Sequence, residues 1–171
     1  MPEQKPALSP PNHPNQRIYA GLVAGGAAFL LFRTLYMLLV EDALYQLMGW
    51  VNALLIAEAV LDLACLLASI RWWMANDRSR SRLPLQLGAA VTMLHAIRVL
   101  AYVMGRTGPW VNWDVRPEYS ASYRFDWFWV WFAAILSVLS LVAVIVIWRI
   151  VRDERSSAEK DQSSKGGRFP E

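Results

Sequence analysis

Charged residues make up only 18% of this 171-residue chain, and there is one cysteine and just two histidines. Each shortage excludes something. A lone cysteine, Cys65, cannot close an intramolecular disulfide, so a secreted disulfide scaffold is ruled out. Cys65 stands within an apolar run and reads as a small packing residue. With His13 in a proline-rich leader and His95 far from it, one chain cannot offer two axial histidines to a haem. No G-x-G-x-x-G, P-loop, H-E-x-x-H or C-x-x-C motif occurs, and no internal repeat is visible. The net charge is +3, with acids and bases interleaved in the tails, so there is no basic stripe for nucleic acid.

What is abundant is apolar surface: 56% hydrophobic residues, nine tryptophans and a mean hydropathy of +0.26. This excludes a disordered chain and a water-soluble enzyme, because the apolar residues are gathered into blocks of membrane-crossing length. Four such runs occur, at 18–40, 50–73, 85–104 and 127–150. Each is close to the ~20 helical residues that cross ~30 Å of hydrocarbon at 1.5 Å per residue. The first is too long for a signal-peptide core and carries Arg33. The expected fold is therefore all-α, an antiparallel four-helix transmembrane bundle. The Pro-rich segment 1–17 is expected to be a disordered arm, and 151–171 a polar solvated tail.

Basic residues give an orientation. Lys5, Arg17, Arg71, Arg78, Arg80, Arg82 and the six basic residues from Arg149 to Arg168 fall on one side, against Arg106, Arg116 and Arg124 on the other. The positive-inside rule places both termini in the cytoplasm, with the chain in a plasma or inner membrane. Trp72, Trp73 and Trp148 then form an inner aromatic belt, and Trp50, Trp127, Trp129 and Trp131 an outer one.

Five ionisable residues stand inside the spans: Arg33, Glu58, Asp62, His95 and Arg98. An Arg, Lys or Asp at a helix centre costs about 2.5–3.5 kcal/mol, against roughly 0.3–0.6 gained per large aliphatic residue, so these groups need partners. From the span boundaries, Arg33, Glu58, Arg98 and His95 lie roughly 10, 12, 9 and 14 Å below the outer boundary, a shared layer, with Asp62 one turn deeper. Helical stripes point the same way. Val51, Leu55, Glu58, Asp62, Cys65, Ser69 and Trp72 follow alternating steps of four and three, the seam of a left-handed bundle. Gly88, His95 and Tyr102 recur at seven, flanked by Thr92 and Arg98; Tyr19, Gly26, Arg33 and Val40 do so in the first span. Gly21 and Gly25 form a small-xxx-small pair suited to close helix approach. The fourth span, with only Ser137 and Ser140 as polar residues inside it, is expected to cover the other three.

This layer has three readings: a structural ion-pair network, a ligand site in which Arg33 and Arg98 hold an anionic or carbonyl-bearing group, and a proton relay through Asp62, Glu58 and His95. No metal is expected, because two arginines would repel the cation, and no cofactor is implied. The 105–126 connection carries Trp110, Trp113, Asp114, Arg116 and Glu118 and is far longer than a turn requires. It suits a segment in the headgroup layer or a lid above the polar layer. The functional expectation is a polytopic membrane protein that binds a small or lipid-like ligand, or a membrane partner, through the outer-half polar site. An integral membrane enzyme or proton-coupled transporter using His95 and Asp62 is the alternative, and a structural subunit of a membrane complex the third. Partners are the lipid bilayer and either another membrane protein or a second copy of the chain.

Overall fold

A computed structural model describes residues 15–107, 112–120 and 127–166. Five α-helices follow one another: α1 (Asn15–Leu39), the single turn α2 (Ala43–Gln46), α3 (Gly49–Ala75), α4 (Arg82–Thr107) and α5 (Trp127–Gly166). The four long helices are each long and apolar enough to cross a membrane. They also leave large apolar side chains exposed, among them Phe32, Val60, Met93, Phe128 and Val138, a surface of the kind that a membrane or a partner protein covers.

Helix ends follow from local chemistry. Asn76 takes the left-handed conformation (φ 47°) and returns its N–H to Trp72 O, closing α3 with a residue that tolerates positive φ. Asp77 then accepts from both the backbone N–H and the hydroxyl of Ser79, which starts the 3₁₀ turn Arg78–Ser81 and holds the exposed Asp77 carboxyl below its usual range. Asp42, at φ 52°, separates α1 from α2 in the same left-handed way.

The long helices pack in the order α1, α3, α4, α5, with smaller contacts of α1 to α4 and α5. The buried face of α3 is Val51, Asn52, Leu55, Glu58, Asp62, Cys65, Ser69 and Trp72, which contains the whole stripe expected from the sequence. Trp72 is fully buried in the core, as its place on that stripe implies, whereas Trp73 and Trp148 are about half exposed. On α1 the buried stripe is Gln16, Ala20, Val23, Ala27, Leu30, Thr34 and Leu38, one position away from the expected Tyr19, Gly26, Arg33 and Val40. Gly21 and Gly25 are exposed, with nothing within 4 Å of a Cβ built on either, so neither mediates a close approach within the chain. That role falls to Gly88, whose added Cβ would meet Val144, Cys65 and Val23 at 3.5–3.9 Å, where four helices converge.

Three further expectations change. Helix α1 begins at Asn15, so the last residues of the expected arm are helical, and α5 continues through Gly166, well past the expected end of its span. Helix α5 does not cover the other three; it lies along α4, touches α1 less, and leaves an apolar groove of about 200 Å³ bounded by α1, α4 and α5.

The core is split. One apolar cluster holds Ala20, Val23, Ala27, Leu30, Cys65 and Trp72 with α4 and α5 residues. The other holds Leu38, Ala43, Leu47, Val51, Leu55 and Val115, at the end where α1 runs into α3. Between them on α3 stand Glu58 and Asp62, and on α1 Thr34, all fully buried.

Candidate functional site

The polar layer is built by α3 and α4. Glu58 and Asp62, one turn apart, project from the same face of α3; His95 and Arg98, three residues apart, project from α4 to meet them. Arg98 Nε lies 2.8 Å from both Glu58 oxygens, and Arg98 Nη2 lies 3.1 Å from His95 Nδ1. His95 Nδ1 is also 3.2 Å from Glu58 Oε2, while its Nε2 is 3.4 Å from Asp62 Oδ2. The four groups are buried, both carboxylates completely. A guanidinium nitrogen only donates, so Nδ1 accepts from Arg98 when the ring is neutral, and Nε2–H then points at Asp62. This tautomer gives every ring nitrogen a partner of the right kind.

Among the described residues, two atoms of these four side chains are left short. Asp62 Oδ1 is buried with no hydrogen-bond partner. Arg98 Nη1 has only the thioether of Met37, at 3.9 Å, which is a weak acceptor for a charged donor. A cavity of about 30 Å³ lies beside Arg98, lined also by Met37, Trp50, Tyr102 and Asp114. It admits a single water-sized group.

Arg33 stands apart from the other expected members. It is half-buried and forms no ion pair or hydrogen bond among the described residues, although Glu41, Glu58 and Arg98 are within electrostatic range. The expected pairing of two guanidinium groups with two carboxylates is thus reduced to one, Arg98 with Glu58. The reason is the one-position offset of the α1 stripe, which puts Thr34 inward in place of Arg33. His95 separates the two carboxylates, using a different ring nitrogen for each, so Glu58, Asp62 and His95 do not converge on one point.

The segment 112–120 closes this end of the bundle. Asn112, at φ 57°, donates its N–H to Gly105 O, and Trp113 Nε1 donates to Ala101 O. Leu47 and Val115 then form an antiparallel bridge: Met48 N–H donates to Asp114 O and Arg116 N–H to Gln46 O, both at 2.9 Å. Arg116 Nε and Nη2 reach the carbonyls of Leu47 and Leu44, and Asn52 Nδ2 approaches the same two from below. Trp113 packs on Trp50 with ring centroids 4.6 Å apart. Of the expected lid residues, Asp114 is buried and lines the Arg98 cavity, Trp113 and Arg116 tie the segment down, and Glu118 is exposed. Trp110 lies outside the described residues.

Sequence reasoning missed Thr34, Met37 and Asn52. Thr34 was signalled by its spacing of four from Leu30 and Leu38, but the neighbouring Arg33 is the more conspicuous residue. Comparison of the chain with models of protein families, with characterised proteins and with solved structures finds no match.

Proposed function

We propose that the chain is a multi-pass membrane protein, an antiparallel four-helix bundle with both termini cytoplasmic. Its polar layer binds an oxygen-bearing group, a carboxylate or carbonyl, of a small or lipid-like ligand. The observation that carries this reading is Arg98 Nη1, a charged donor whose one partner among the described residues is a thioether, on a side chain that lines a cavity. An oxygen of the ligand would take that position, while Glu58 and His95 hold the rest of the guanidinium in place. Because the cavity is water-sized, anything larger enters by lifting the 112–116 segment, which makes that segment the lid of the site.

The test is mass spectrometry of small molecules and lipids carried through purification by the wild type and by the paired variant Glu58→Gln with Arg98→Gln, which removes both charges together. A compound retained by the wild type and lost from the folded variant supports the site. Identical profiles would sink it.

A second reading is favoured by Asp62 Oδ1, the other orphaned atom. A proton taken up at His95 Nδ1 would release the Nε2 proton to Asp62 Oδ2, 3.4 Å away, and leave a neutral imidazole beside a neutral acid. The polar layer is then a proton-exchange element of a transporter or membrane enzyme.

The orientation has its own measurement. Cysteine introduced at Ser79 is expected to be shielded from an impermeant thiol reagent in intact cells, and cysteine at Ser120 to label. Labelling at Ser79 would invert the bundle and place the lid in the cytoplasm.

A further inference from the structure

At the opposite end from the polar layer, the start of α4 and the 148–152 stretch of α5 enclose a cleft of about 310 Å³ lined by Arg82, Gln86, Trp148 and Arg152, with Leu85 and Val151 as its floor. Both arginines are exposed, and among the described residues neither is paired with a carboxylate. Arg152 is nonetheless placed: its Cζ sits 5.7 Å from the centroid of the Trp148 ring. Stacking of this kind limits the guanidinium's freedom while leaving its in-plane N–H donors available.

The depth of the cleft is set by the spans. The third apolar span begins at Arg78 and the fourth ends at Asp153, so Arg82 and Arg152 sit where two spans leave the hydrocarbon, and half-exposed Trp148 lies beside them as interfacial tryptophans do. From this basic cleft an apolar stripe leads back toward mid-span. Leu141, Ile145, Trp148 and Arg152 share one face of α5, and Arg82, Gln86 and Met93 share one face of α4, by the helical spacing of three, four and seven. Met93, Leu141 and Ile145 are all exposed.

We propose that this cleft is the headgroup site of an anionic phospholipid. Its phosphate is held between Arg82 and Arg152, and its acyl chains lie along Met93, Leu141 and Ile145. Phosphate diester chemistry explains the paired, unneutralised guanidinium groups, which offer planar forks of donors that match phosphate oxygens. The adjoining exposed stripe selects a lipid over a free anion, because inorganic phosphate has nothing to bury there. This site is independent of the polar layer and of any ligand bound to Arg98.

The experiment is native mass spectrometry of the full chain in detergent, titrated with phosphatidylglycerol and with phosphatidylcholine of matched acyl chains. One basic residue near an anionic lipid surface is worth about fivefold in affinity, so the pair is expected to favour phosphatidylglycerol by about thirtyfold. Arg82→Gln with Arg152→Gln should abolish that preference, and each single variant should lose about fivefold. A charge-matched control, Arg17→Gln with Arg71→Gln, removes two positive charges elsewhere and should keep the preference. Equal binding of the two lipids, loss of preference in the control, or displacement of phosphatidylglycerol by excess inorganic phosphate would each overturn the proposal. Because Arg82 and Arg152 are exposed, these variants are expected to melt with the wild type, and the single variants give the same readout if the double does not fold.

Discussion

Replacement of Glu58 by Gln is expected to destabilise the protein by about 3–5 kcal/mol, the cost typical of breaking a buried ion pair from one side. Glu58 is fully buried and receives Arg98 Nε at 2.8 Å on both oxygens. In the variant a buried guanidinium keeps its His95 contact but has a neutral amide in place of its carboxylate partner. Adding Arg98→Gln removes the stranded charge and should return a substantial part of the loss, whereas adding Arg33→Gln should return less, because Arg33 feels Glu58 and Arg98 only at a distance and shares no ion pair with Glu58. Unfolding of the three variants in mixed micelles measures this. Strict additivity of Glu58→Gln with Arg98→Gln would mean that the contact carries no coupling energy. Asp62→Asn belongs in the same series. If Asp62 holds a proton beside His95, the isosteric amide keeps the shape and most of the polar contact, and the variant melts near the wild type. A fall as deep as that of Glu58→Gln would mark Asp62 as an ionised structural partner and remove the proton-exchange reading.

Gly105→Ala is expected to cost about 1–3 kcal/mol, the range for forcing extra volume into a packed site. A Cβ there would stand 2.6 Å from Asp114 Oδ1 and 2.8–2.9 Å from the Trp113 indole. Neither group can simply swing away: Asp114 is buried, and Trp113 is held by Ala101 O and by Trp50. The 112–116 segment must therefore shift, which strains its bridge to Leu47. Faster proteolysis within 112–120 alongside the lower stability is the expected result. Gly88→Ala is the control. Its Cβ meets neighbours at ordinary contact distances, and the change gains the roughly 1 kcal/mol by which Ala exceeds Gly in a helix. If Gly105→Ala behaves like Gly88→Ala, the segment is not docked as described.

The parts of this fold that were legible in the sequence are those where polarity contrasts with surroundings. Two carboxylates in an apolar helix leave α3 one face to bury, and the stripe from Val51 to Trp72 follows from them. His95 and Arg98 fix α4 in the same way. Helix α1 offered no such contrast, since lipid and protein interior are equally apolar. Arg33 was misleading because a long side chain can sit beside a seam without entering it. Inside its span helix α5 has only Ser137 and Ser140 as polar residues, too small a contrast to name α4 as its neighbour. The bridge between 46–48 and 114–116 joins segments almost seventy residues apart through backbone groups, which leave no mark on side-chain pattern. Among the expected site residues, Glu58, Asp62, His95 and Arg98 meet, and what decided the chemistry, the thioether of Met37 opposite Nη1, was visible only in three dimensions.

The order of helix contacts has a mechanical consequence. Neighbours run α1, α3, α4, α5, and the two ends of that sequence barely touch, so the bundle is an open arc whose free edges flank the α1–α5 groove. Within the chain those edges are held together by the apolar cluster that Ala20, Val23 and Ala27 share with Ile147 and Val151, and by few direct contacts elsewhere. In a bilayer, as proposed for this chain, lateral pressure from the acyl chains would load those edges, and a detergent micelle, which exerts little of it, would let the arc relax. Bilayer and micelle forms of the protein are therefore expected to diverge first at this edge, with the α3–α4 seam, pinned by Arg98 and Glu58, keeping the same geometry in both.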